Sequence, residues 1–146
     1  MAVYNKFQDF VEQLGLAKHD FSAAGHVLKI ALVRSADPPV ATDTILANVT
    51  QPTGTGYTAG GEDVQNTWAE ATGTGTLTGT KVVWTAGAAG WQSFRYVVLC
   101  NDTQTSPVDP LIAWWDYGAD LTLGNGETFT VKFNNGDPTG TILTIA

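Results

Sequence analysis

Glu62, Asp63 and Glu70, set in a Gly/Thr-rich stretch, and Asp116, directly after Trp114-Trp115, are the carboxylates that could work as an acid–base pair. Glycoside hydrolysis needs only two such groups, provided that an apolar pocket raises the pKa of one. Nothing in the sequence builds that pocket, and loop carboxylates are ordinarily solvated. His19 and His26 are the only histidines. Neither has a second ligand at metal-type spacing, so they read as surface or strand residues rather than zinc ligands or bases. Cys100 ends the apolar run Tyr96-Val97-Val98-Leu99 and reads as a small buried hydrophobe, not a nucleophile. No G-x-S-x-G elbow is present. Gly54-Thr55-Gly56 and Gly73-Thr74-Gly75 precede no helix, which removes a phosphate-cradling loop. Asn101-Asp102 and Asn134-Asn135-Gly136-Asp137 offer oxygen ligands suited to calcium, yet these are also the residues that turns use. The expectation is a non-enzymatic protein with no metal site and no cofactor.

Trp68, Trp84, Trp91, Trp114 and Trp115 are the remaining candidates for binding. They could include a flat platform for a sugar ring, or fill the core and a protein interface, where Trp supplies large area with few rotors. Trp114 and Trp115 are adjacent in a predicted strand and must point to opposite faces. One is expected in the core. The other is expected to face solvent or a partner.

These residues need a scaffold, and composition limits what it can be. The chain has 146 residues, 43% hydrophobic and 14% charged, with a net charge of −7. That length fits one domain able to bury a core without a staple, and the one Cys cannot form an internal disulfide. The acidic balance argues against a protein that tracks nucleic-acid phosphates. No apolar run approaches a membrane span, and MAVYNKFQDF lacks the apolar core of a signal peptide. No membrane partner is expected, and synthesis in the cytoplasm is.

Val3, Phe7, Phe10, Val11 and Leu14 recur at helical spacing, and Gly15 suits a helix C-terminus, which predicts a helix over 3–14 within an N-terminal arm of residues 1–25. From residue 26 to 146 the period changes to two. In His26–Arg34, Leu28, Ile30 and Leu32 share one face, and Asp37-Pro38-Pro39 ends the strand. Further strands are predicted at Tyr57–Thr58, Gly75–Thr85, Gln92–Cys100, Leu111–Tyr117, Ala119–Leu123, Glu127–Asn134 and Thr139–Ile145. Their spacing is that of a sandwich or barrel of about eight strands. Gly124-Asn125-Gly126 predicts a tight hairpin joining the last LTL to ETFTVKF. Within the latter, Phe129, Val131 and Phe133 point one way and Thr128, Thr130 and Lys132 the other, as in an antiparallel sheet with one wet face.

The succession Tyr4-Asn5-Lys6-Phe7 with Phe10, Leu28-Lys29-Ile30-Ala31-Leu32, and Gly56-Tyr57-Thr58-Ala59-Gly60-Gly61 resembles a group of small virion proteins of tailed phages. It continues through Phe94-Arg95-Tyr96, Asn101-Asp102-Thr103, Trp114-Trp115-Asp116-Tyr117-Gly118 and Gly126-Glu127-Thr128-Phe129-Thr130-Val131. The stretch Pro107-Val108-Asp109-Pro110 is longer than that pattern. The resemblance implies a mainly β, jelly-roll-like antiparallel β-sandwich with one N-terminal α-helix. It also implies a capsid decoration (cement) protein on the capsid exterior that binds the major capsid protein and self-associates as a dimer or trimer. The alternative is a carbohydrate-binding jelly-roll or fibre-type virion module. The candidate partner-interface residues are Val3, Phe7, Phe10, Leu14, Trp114 and Trp115. The N-terminal apolar stripe could dock onto a partner or close one end of the protein's own sandwich.

Overall fold

A computed structural model describes residues 2–146. The alternating apolar segments form ten strands among the described residues, with one short α-helix and one 3-10 turn. In chain order these are β1 (Tyr4–Lys6), α1 (Asp9–Gly15), β2 (Leu28–Arg34), the 3-10 turn Leu46–Asn48, β3 (Glu62–Asp63), β4 (Thr67–Ala71), β5 (Thr74–Thr80), β6 (Val82–Thr85), β7 (Phe94–Asn101), β8 (Leu111–Leu121), β9 (Thr128–Val131) and β10 (Thr139–Ile145). All pairings between the strands are antiparallel.

One layer is a five-stranded sheet in the order β1-β8-β7-β2-β3. Its inner face carries Leu28, Ile30, Leu32, Leu99 and Ile112 into the main core. Its outer face is also buried. Ala31, Val33, Val98, Cys100 and Leu111 pack there under Leu46 and Val49 of the 45–50 loop, with Phe7 from the chain start. Alternation in β2 therefore separates two cores rather than a dry face from a wet one.

The second layer holds β10-β5-β4 and β6-β9. Only Lys81 separates β5 from β6, and the register runs through: Thr139 opposes Thr80 and Val131 opposes Val82. Thus β9 and β10 follow one another along the same strand, and residues 132–138 loop out between them. Lys81 and Lys132 clamp the loop on Asp137, at 2.6 and 2.5 Å. The Lys81 N–H donates to the Pro138 carbonyl at 2.7 Å. The excursion delivers Phe133, 4% exposed, into the core. It also forces Gly at 140, where a Cβ would lie 1.7 Å from the Phe133 carbonyl oxygen.

The expected mainly-β, antiparallel, sandwich-like fold with one helix is the observed one. Sheets of five, three and two strands do not establish the finer jelly-roll description, which needs eight strands in two Greek keys. Four local expectations are corrected. Residues 4–6 are a strand, because Tyr4 and Asn5 pair with Trp115 and Trp114; the helix begins only at Asp9. Gly124-Asn125-Gly126 does turn, with the Glu127 N–H on the Gly124 carbonyl at 3.1 Å. However, no hairpin forms, because β9 finds its partner in β6. Tyr57-Thr58 is loop: the Tyr57 hydroxyl accepts the Leu32 N–H at 3.0 Å and donates to Gln51 Oε1 at 2.7 Å. Thr67–Ala71, absent from the predicted strands, is β4, paired along its length with β5.

Phe7 is fully buried, its ring 4.5 Å from that of Trp114. Phe7→Ala should therefore cost about 3–5 kcal/mol, as large-to-small core changes do. Urea unfolding of the variant beside the parent protein measures this. A cost below about 1 kcal/mol would show that the outer core is dispensable.

Candidate functional site

The carboxylates singled out in the sequence do not converge. Glu62 lies on β3 of the five-stranded sheet and Glu70 on β4 of the other layer, both exposed. Asp116 is taken by Arg95 in a two-pronged contact, Nε to Oδ1 at 2.8 Å and Nη2 to Oδ2 at 2.9 Å. That pairing, with the Gly118 N–H, holds its carboxyl below the usual range. Lys132 and Lys81 hold Asp137 down to about 2. The Asn134–Asp137 loop thus spends its acid on two lysines, and Asn134 and Asn135 take left-handed φ angles of 44° and 58°. Among the described residues no group of three His, Cys, Asp or Glu could hold a metal ion. Cys100 is buried in the outer core, which pushes its thiol up to about 12 and keeps it protonated.

The histidines, far apart in outlook from the sequence, meet at one residue. Asn101 is fully buried at the end of β7. Its Oδ1 accepts the Thr103 N–H at 3.2 Å, which identifies the other end of the amide as the donor. Nδ2 then faces the Lys18 carbonyl at 3.2 Å, His19 Nδ1 at 3.0 Å and His26 Nδ1 at 2.9 Å. The two hydrogens of Nδ2 are shared among these three neighbours, and His19 Nε2, on the far side of its ring, is buried without a partner. This cluster ties residues 18–26 to β7. His19 also lies between Phe10 and Phe21, with ring centroids at 5.4 and 5.6 Å. The cluster holds the fold together here, and it was invisible in the sequence because Asn101 is 75 residues or more from either histidine.

The tryptophans are interior residues. Trp84 and Trp91 are buried, and Trp68, Trp114 and Trp115 half-buried. The pair on β8 does split between faces, but each ring packs on a core: Trp114 on the outer one, Trp115 on the main one against Phe133 and Tyr4. Instead of one core ring and one facing solvent or a partner, both are half-buried, and Trp115 also lines an open cleft. Phe7 and Phe10 likewise belong to the two cores and Leu14 is half-buried, so the N-terminal stripe closes the protein's own sandwich. Of that stripe, Val3 and Val11 stay exposed, at 71% and 53%.

A different surface emerges along β10, the edge strand of its sheet. Opposite it runs β1, the edge strand of the other sheet. The two are not paired among the described residues; both line an open groove at the end of β10, and a second depression lies earlier along β10, against β8 and β9. At Thr141–Ile142 a cleft of about 180 Å3 is walled by Trp115, Tyr117, Phe129, Val131 and Phe133, with Ala2, Lys132 and Asn134 at its margin. At Leu143–Ala146 an open groove of about 560 Å3 is floored by Phe10, Leu14 and Leu143 and flanked by Tyr4, Lys6, Val11 and Ile145. Tyr4, Val11 and Ile145 are exposed apolar residues there, and Tyr117, 55% exposed, forms the lip of the cleft. Exposed apolar residues gathered on one face mark an interaction surface more often than a solvated one. Reading the sequence by period missed Tyr4, Tyr117 and Ile145, because what unites them is the spatial meeting of β1, β8 and β10.

The His19 geometry has a consequence in pH. Burial first, then the neighbouring His26, lowers its pKa from 6.5 to about 4, against a smaller opposing effect of Asp9; Asp20 also faces the cluster through its N–H on His26 Nδ1. Between these two pH values the unfolded chain takes up a proton that the folded chain refuses. Stability that is full above pH 6.5 is therefore lost as the pH falls toward 4. The slope is at most about 1.4 kcal/mol per pH unit, less whatever water screens from a half-buried ring. Urea titrations at pH 7.0, 5.5 and 4.5 should show the parent losing more stability than His19→Phe over this interval; parallel losses would disprove the linkage. In comparison with known proteins, no family model, curated protein or solved structure matches the chain.

Proposed function

We propose that this protein is a non-enzymatic structural component of a tailed-phage virion, a decoration protein that binds the major capsid protein on the capsid exterior. The reading rests on the ordered resemblance of residues 4–131 to such proteins. The observation that carries the docking part is the exposed apolar face at the β1–α1–β10 seam, centred on Tyr4, Val11 and Ile145. A protein that acts by covering a neighbour needs buried area and no reacting group. Its net charge of −7 suits an outer position, since an acidic surface repels packaged nucleic acid and stray polyanions. Self-association as a dimer or trimer belongs to the same proposal, because bridging neighbouring capsid subunits multiplies weak contacts. The carbohydrate-module alternative has less to stand on: Tyr117 is an exposed ring, but Trp84 and Trp91 are buried and Trp68, Trp114 and Trp115 half-buried.

Phe7 and Phe10 are among the partner-interface candidates that the sequence offers, with Val3, Leu14, Trp114 and Trp115. Since these are core residues, the informative substitutions are at exposed positions. Val11→Asp combined with Ile145→Asp should leave the melting temperature within a few degrees of the parent. It should cut occupancy on capsids stripped of the protein by at least tenfold, because a carboxylate buried in an apolar contact costs several kcal/mol. Co-sedimentation with stripped capsids reads the occupancy. Undiminished binding by the folded double variant would remove this face from the proposal.

A further inference from the structure

The seam has features that a flat docking surface lacks. Strand β10 pairs with β5 alone and β1 with β8 alone, so each has an edge free to accept another strand. The cleft at Thr141 and the groove at Leu143–Ala146 lie in line along the free edge of β10, about three residues or ~10 Å apart at strand spacing. The cleft's volume, about 180 Å3, is close to that of an engineered apolar cavity of roughly 150 Å3 that holds benzene. Its walls are ring faces and edges held in place by one another: Tyr117 meets Phe129 edge-on at 6.0 Å, and Trp115 meets Phe133 at 6.1 Å. Such walls favour an aromatic guest through edge-to-face contact. At the far end stands Lys6. Lys29, Lys81, Arg95 and Lys132 engage acids of this chain, whereas Lys6, like Lys18 and Arg34, has no such partner among the described residues, and of these three only Lys6 lines the groove.

We infer that the seam receives an extended segment of a partner protein, which adds as a strand to the free edge of β10, seats one aromatic side chain in the Trp115–Phe133 cleft and places an acidic residue beside Lys6. Main-chain hydrogen bonds to an edge strand supply affinity in this mode, and the pocket for an alternate side chain supplies selectivity. Closing the seam would also cover the apolar groove floored by Phe10 and Leu143. The surface is the one invoked for capsid docking, and the inference rests on that reading for the place but not for the partner's identity.

An end-blocked peptide of alternating Thr and Val, with one Phe near its middle and a Glu near one end, tests this on the pure protein. Amide chemical shifts of Thr141–Ile145 and the fluorescence of Trp115 report binding. Saturable shifts confined to β10, weakened at least tenfold by Phe→Ala in the peptide and abolished by Pro in place of the preceding Val, are expected. Lys6→Glu should weaken the same peptide severalfold and remove the salt dependence. Thr141→Trp, which fills the cleft from its margin, should block it; Val131→Phe serves if that variant unfolds. No saturable shift at millimolar peptide, binding indifferent to Phe→Ala, or binding of free p-cresol with none of the peptide would overturn the inference. So would sedimentation showing that a second copy of this chain occupies the seam. Capsid co-sedimentation run beside it separates the two claims: if peptide binding fails while the Val11/Ile145 variant still loses capsids, the strand mode is wrong and the docking face stands.

Discussion

Burial of both faces of the β2–β7–β8 sheet is the constraint on which the rest of the structure depends. Leu28, Ile30 and Leu32 look into one core and Ala31 and Val33 into the other, all with no exposure. A strand in that position can expose neither side, so both sides must be supplied with cover. The second layer covers one. The other is too small to recruit a sheet and takes the 45–50 loop, Trp114 and Phe7. This is why a three-residue strand at the chain start matters. Strand β1 extends the sheet past β8 and sets Phe7 onto the outer core, after which α1 turns Phe10 back into the main one.

The same demand explains the loop between β9 and β10. The continuous strand β5–β6 could have been paired by an equally continuous neighbour. Instead the neighbour leaves the sheet for seven residues (132–138), inserts Phe133 beside Trp115 and returns as β10. The clamp of Lys81 and Lys132 on Asp137 sits where the two strands part. Being exposed, these ion pairs fix the path of the loop more than they stabilise the fold. The detour leaves the sandwich unsealed on this side, and the aromatic cleft lies in the opening. Several ionisable groups are taken up in the same way: Cys100 is sealed in the outer core, and Asp116 and Asp137 are held by Arg95 and by Lys81 with Lys132.

Most polar side chains that stand out in the sequence are tied into the fold. Asp116 is held by Arg95, Asn101 gathers the two histidines, and Cys100 is sealed in the outer core. These polar groups have structural occupations. Along β10 and β1, two of the edge strands, exposed apolar side chains gather beside an unpaired backbone edge.

The sequence by itself determined fold class and much of the strand set. Period-two runs located β2, β7 and β10, the last with both ends correct, because a period of two is a local property of extended backbone whichever faces are covered. It also determined that Trp114 and Trp115 oppose one another, which strand geometry alone requires. Tertiary structure decided pairing. The Gly124-Asn125-Gly126 turn is locally fit for a hairpin, yet β9 pairs with β6, more than forty positions earlier, since Phe129 gains contacts with Trp84 beside it and with Phe94 across the core. The Phe7-Phe10-Leu14 spacing fits a helix as well as it fits a strand, a connection and a short helix feeding two cores. Only the position of β8 chooses between these. The binding seam was illegible for the same reason: it is made by which edges remain unpaired, and an unpaired edge has no mark in a sequence.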